Sequence, residues 1–190
     1  MKKLALVLAI ALAPIVTFGQ SLFDKYEDME GVTSVVINQK MFKMLAGINI
    51  NLEDPEDQAF LDMAKKITGL KVFTTGNEKT SADINASVTK YLGTANLEEL
   101  MRIKDGNQTV KFYVKQGKDE NHVKELLMLV NGLKEISKDQ NITINGKNRE
   151  METVVLSLTG DIDLRQISKM TEKMNVPGGD QLKKAGKGKK

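Results

Sequence analysis

Apolar residues along this chain follow three rhythms. An unbroken apolar run extends from Leu4 to Val16. From Leu22 to Leu92 the apolar residues recur mainly at helical spacing, interrupted by two β-branched runs. From Leu97 to Leu158 apolar and polar residues mostly alternate, the signature of strands with one buried face.

The middle stretch predicts a short helix over Leu22–Met29 closed by Gly31, a strand over Val32–Asn38 that is apolar on both faces as a central strand is, and a brief amphipathic turn over Met41–Leu45. Asp54 is placed to cap a helix that has Pro55 at its first position and Phe60, Leu61, Ala64 and Ile67 on its apolar face. Gly69 then reads as the C-cap, and Leu70–Thr75 as a strand. A further helix spans about Lys79 to Leu92, with Ile84, Val88, Tyr91 and Leu92 on one side.

Strands dominate the second half of the chain. Leu97, Met101 and Ile103 lead to an Asp105-Gly106-Asn107 turn, and Val110, Phe112 and Val114 return from it. Val123–Val130 is a third strand, although its Glu125–Leu129 core also fits a helix, and Val154, Leu156 and Leu158 mark a fourth. Between them, residues 134–150 read as a polar hairpin loop or as a hairpin extended by Ile142 and Ile144. Asp163 caps a closing helix with Gln166 as its capping-box partner, and Leu164, Ile167, Met170 and Met174 form its stripe. This order predicts an α+β fold, a mostly antiparallel sheet with helices packed on one face, in a single domain over residues 20–177.

The N-terminal run changes the picture most. Lys2 and Lys3 precede it and Thr17-Phe18-Gly19 end it, which is the layout of a secretory signal peptide over residues 1–19. The chain is therefore expected to be exported to the periplasm or the medium. With no cysteine to carry a lipid, it is expected to be free of a lipid anchor. The lack of cysteine also excludes disulfides, thiol nucleophiles and thiolate metal sites.

Charge sits at the ends. The chain carries +3 overall, yet two lysines in the leader and five within the last ten residues leave residues 20–180 at −4. A nucleic-acid reader carries its basic stripe on the folded body, so no nucleic-acid partner is expected. Residues 178–190 read as a disordered Lys/Gly-rich tail, able to make weak contact with an anionic membrane surface.

Leu22-Phe23-Asp24-Lys25-Tyr26, then Gly31 to Ile37, then Met41-Phe42 resemble the opening of a family of exported bacterial proteins, domain-of-unknown-function family 4252. Leu156 to Leu164 resembles its ending, and the similarity covers about Ser21 to Met174. The resemblance implies an envelope location and an α+β domain, and it carries no catalytic residues.

Candidate chemistry is sparse. Asp161 and Asp163 form the best acidic pair, but a strand end and a helix cap account for both. His122, the only histidine, has no nucleophile or orienting carboxylate evident nearby and reads as a solvated imidazole. Met41 with Met44, and Met170 with Met174, have the spacing of soft copper ligands but also of core filler beside Phe42, Leu45 and Ile167. Glu98 or Glu99 would need a second acid from another strand. No catalytic, cofactor-binding or metal residues are assigned, and no cofactor is expected. The leading function class is a non-enzymatic envelope binding or interaction module with an unknown envelope protein or ligand as partner. An accessory of envelope stress or signalling regulation and a carboxylate-dependent hydrolase are the alternatives.

Overall fold

The computed structural model describes residues 21–47, 55–139, 143–144, 147–148 and 150–167. The leader, the Asp54 cap, Met170, Met174 and the tail over 178–190 lie outside these residues.

The elements run α1 (Ser21–Asp24), β1 (Val32–Asn38), α2 (Gln39–Gly47), α3 (Pro55–Ala64), β2 (Ile67–Thr75), α4 (Glu78–Ala95), β3 (Glu98–Asp105), β4 (Gln108–Asp119) and β5 (His122–Asn131). Then come α5 (Lys134–Asp139), β6 (Thr143–Ile144), β7 (Lys147–Asn148) and β8 (Thr153–Asp163). Six strands form one antiparallel sheet in the order β1-β2-β8-β5-β4-β3. The last strand, β8, thus lies between the β1–β2 pair and the β3–β4–β5 meander. The fold is a single α+β domain dominated by its sheet.

Alternation decides which side chains face which way. On β5, Leu127 and Leu129 join a cluster with Phe23, Tyr26, Phe73, Ile84, Val88, Tyr91 and Val155, so α1 and the long helix α4 cover this face. Leu126 and Val123 join a second cluster with Phe112, Val114 and Ile162, to which α2 and α3 contribute Phe42, Phe60 and Met63. The covering therefore extends beyond one face, because β5 places apolar side chains on both of its faces. Phe23 holds α1 against the sheet through a stacked contact with Phe73 at 6.3 Å and against α4 through an edge contact with Tyr91 at 5.3 Å.

Several boundaries differ from the sequence reading. The first helix is only Ser21–Asp24; turn bonds from Tyr26 N to Phe23 O and from Val32 N to Met29 O, with Gly31 at φ 80°, redirect the chain into β1. Gly69 is not a C-cap but a strand residue, paired with Asn38 on one side and Thr159 on the other. The preceding helix stops at Ala64 because Ile67, buried in the second cluster, already belongs to β2. The caps of α4 are Asn77, whose side chain accepts from Thr80 N, and Asn96 in the left-handed region at φ 54°. Val123–Val130 is strand, not helix. The stretch 134–150 holds a short helix as well as the β6–β7 hairpin; Ser137 fastens it by accepting from Met151 N at 3.0 Å.

Candidate functional site

Helix α4 meets the sheet through a seam of hydrogen bonds set among apolar side chains. Ser81 Oγ lies 2.6 Å from Thr153 Oγ1, and Asn85 and Asn131 exchange reciprocal amide bonds at 2.9 Å. From the turn that follows α1, Tyr26 bonds Asp83 and Ser87 of the same helix, each at 2.7 Å. At the end of the seam Tyr91 donates to Glu125 Oε2 at 2.6 Å, and Ser157 donates to Oε1 at 3.0 Å. Glu125 is buried and receives both bonds from neutral hydroxyls. Burial pushes the Tyr91 hydroxyl far above its ordinary pKa, and the Glu125 carboxylate pushes it the same way. Among the described residues no buried side-chain polar atom lacks a partner.

A cavity of about 230 Å³ opens beside this end of the seam, with Tyr91 and Ser157 in its wall together with Phe23, Lys71, Thr159 and Val36. Among the described residues neither a carboxylate nor the histidine lines it. The charged side chain among the described lining residues is Lys71, whose Nζ is held by Asp24 at 2.6 Å and Glu27 at 2.7 Å. Burial opposes the charge on Lys71, but those two bonds outweigh it and hold the pKa above the usual lysine value. The cavity can therefore accept a small group and orient it with hydroxyls, but it offers no free acid or base.

The single histidine sits elsewhere, and differently from expectation. His122 is largely covered, with Asp119 Oδ1 at 2.7 Å from Nδ1 and Asp163 Oδ2 at 3.8 Å from Nε2. The register explains this placement: β5 starts at His122, directly opposite Asp163 at the end of β8. Sequence spacing alone does not show that pairing, although Asp119 lies only three residues upstream. Asp163 caps the helical turn over 164–167 by accepting from Arg165 N at 2.9 Å, and the Arg165 guanidinium grips both its oxygens. That guanidinium, first, and the backbone amide lower the carboxyl below the usual range against an opposing cost of burial. Asp161 is taken up by Lys118 at 2.8 Å. The acidic pair is thus divided between two cations instead of facing a common pocket. Glu99 is held by Arg102 through two bonds of 3.0 and 2.6 Å.

A different feature emerges at the margin of the sheet. Val35 and Val36 of β1 are 47% and 46% exposed, and Met41, Met44 and Leu45 of α2 are also exposed. Phe42 and Ala46 are the α2 residues turned inward. The two methionines read as core filler therefore lie on the surface, because the short helix turns only one narrow stripe toward the sheet. Among the described residues no group of three or more His, Cys, Asp or Glu side chains is placed to hold a metal ion.

A family model described as a domain of unknown function (DUF4252) matches residues 26–170. The chain belongs to that family. The match starts at Tyr26, in the seam, and runs past the last described residue, so the DUF4252 domain includes the whole sheet. No curated protein matches this chain. No solved structure does either. Among the described residues of this DUF4252 domain, no helix is long and apolar enough to cross a membrane.

Proposed function

We propose that this DUF4252 domain is an exported, non-enzymatic binding module that engages its partner in the envelope through the outer edge of β1. The observation that carries the reading is the state of that edge. β1 is terminal in the sheet, its seven residues Val-Thr-Ser-Val-Val-Ile-Asn include no charge and no proline, and its pairing with β2 runs without a bulge. An edge of this kind presents free backbone donors and acceptors, and proteins ordinarily blunt such edges unless they are used.

The signal-peptide layout of residues 1–19 supports the exported part. The non-enzymatic part is supported by how the acidic groups are spent. Asp161, Asp163 and Glu99 are each bound by a cation, and the cavity wall carries no acid–base pair.

A photo-crosslinking residue introduced at Val35 in intact cells tests the reading, with the same residue at Lys104 on the opposite edge as control. A single protein captured in stoichiometric amount from Val35 and not from Lys104 is the expected outcome. Equal labelling from both positions, or turnover of an envelope substrate by the purified protein, would overturn it.

A further inference from the structure

The two margins of the sheet are built in opposite ways. In β3, five of the eight residues are charged (Glu98, Glu99, Arg102, Lys104 and Asp105), and the register against β4 shifts between Glu99 and Met101. Charges and a bulge are the two common devices that stop an edge from accepting another strand. β1 has neither.

Charge around β1 is distributed with a definite polarity. The approach to the strand is acidic, with Asp28 and Glu30 exposed, and its exit is basic, with Lys40 and Lys43 exposed. None of these four makes an ion pair among the described residues. A strand that is neutral along its length, acidic at one end and basic at the other is complementary to itself when turned antiparallel. In a two-fold pairing centred on Val35, Val35 meets its own copy and Ser34 meets Val36. Further out Thr33 meets Ile37, and Glu30 of one copy comes to the Lys40 end of the other. A parallel pairing, or a shift of several residues, loses the acid–base match.

Resting on the reading of β1 as the binding edge, we infer that its partner is a second copy of this chain, paired antiparallel across β1 with Val35 on the two-fold axis. Two six-stranded sheets then join into one continuous sheet, an isologous arrangement that closes and does not propagate. The guarded β3 margins remain outermost, which ends growth at the dimer. Val35, exposed in the single chain, becomes covered by its copy.

The chain contains no cysteine, so one introduced thiol reports one contact. Residues directly opposite in an antiparallel pair have Cα atoms about 4.5–5.5 Å apart, within the range a disulfide accepts. Oxidised Val35→Cys should therefore run as a covalent dimer, whereas Lys104→Cys on the other edge should stay monomeric. Sedimentation of the unmodified mature chain should show a concentration-dependent dimer. Val35→Lys should remove it, leaving a concentration-independent thermal midpoint equal to that of the parent diluted to monomer, because the residue is exposed in the single chain. Glu30→Lys should weaken the dimer several-fold, and adding Lys40→Glu in the same chain should restore it. A monomer at every concentration with no Val35→Cys dimer overturns the inference, as does a dimer that survives Val35→Lys unchanged. In the first case, capture of a different envelope protein from Val35 in cells leaves the binding reading standing; no capture removes both.

Discussion

Tyr91 and Glu125 are joined by a hydrogen bond of 2.6 Å at the buried end of the seam between helix α4 and the sheet. The bond links residues 34 positions apart, and Ser157 from a third element completes the shell around the carboxylate. Lys115 lies across the β4–β5 pair from Glu125 but forms no ion pair with it among the described residues, so the carboxylate's side-chain hydrogen bonds come from these two hydroxyls. Such an arrangement costs most when half of it is removed.

Tyr91→Phe should accordingly destabilise the domain by about 1.5–3 kcal/mol, the usual range for a hydrogen bond to a charged group. Urea unfolding of the variant and the parent, read as a change in midpoint at constant slope, measures this. A loss no greater than that of an exposed Tyr→Phe change would mean that the carboxylate is solvated by other means.

All three tyrosines, Tyr26, Tyr91 and Tyr113, are held above the ordinary phenol pKa, in each case with burial as the largest cause. Raised folded values mean that the folded state keeps its phenolic protons longer than the unfolded chain. The associated stability is complete below the unfolded value of about 10 and is lost as pH rises beyond it. The chain lacks tryptophan, so phenolate absorbance can be followed without interference. Ionisation should be suppressed at about pH 10 and then appear together with unfolding; a normal titration curve in the intact fold would contradict the burial.

At the acid side Asp163 supplies the converse case. Its carboxyl is lowered chiefly by Arg165, so its stabilisation is present above the unfolded value of about 3.9 and disappears as pH falls through the lower folded value. Asp163→Asn should be less stable than the parent at about pH 7, and the gap should narrow steadily below pH ~4. Thermal midpoints of both proteins across that window provide the measurement, and a gap independent of pH would place the role of Asp163 in capping alone.

Gly160 sits at φ 141°, where the β2–β8 register shifts, and a Cβ there would strike the carbonyl of Lys66 and the backbone of Ile67. Gly160→Ala should cost more than about 2 kcal/mol, since both the conformation and the space exclude a side chain. Gly31→Ala, at φ 80° but with open space around it, should cost less. The ranking from denaturant unfolding of the two variants checks the argument, and an inverted order would refute it.

Mass spectrometry of the protein recovered from the cell envelope or medium should find Gln20 at the N-terminus. Retention of Met1 there would end the proposal of a cleaved leader, and a cut displaced by a residue or two would only move the boundary.

Local chemistry is legible along the chain wherever a single element determines it. The alternation of Val110, Phe112 and Val114, the Asp105-Gly106 turn and the Asp163 cap each depend on neighbours within a few residues, and each is found where the pattern places it. The chain's motifs likewise suffice to place it in its family. Helix ends are less legible: Gly69 resembles a cap because glycine suits both a helix end and a strand where Thr159 and the Ile37 carbonyl come close.

The rest depends on pairings between distant segments, which leave no local trace. That β8 inserts between β2 and β5 is what sets Ser157 beside Glu125 and Asp163 beside His122. The same insertion leaves β1, whose apolar Val-Thr-Ser-Val-Val-Ile-Asn reads as a central strand, at the margin of the sheet. Composition indicates that such a strand seeks neighbours on both sides. Only the strand order, decided by which long-range contacts bury the most surface together, reveals that no described strand takes its other side.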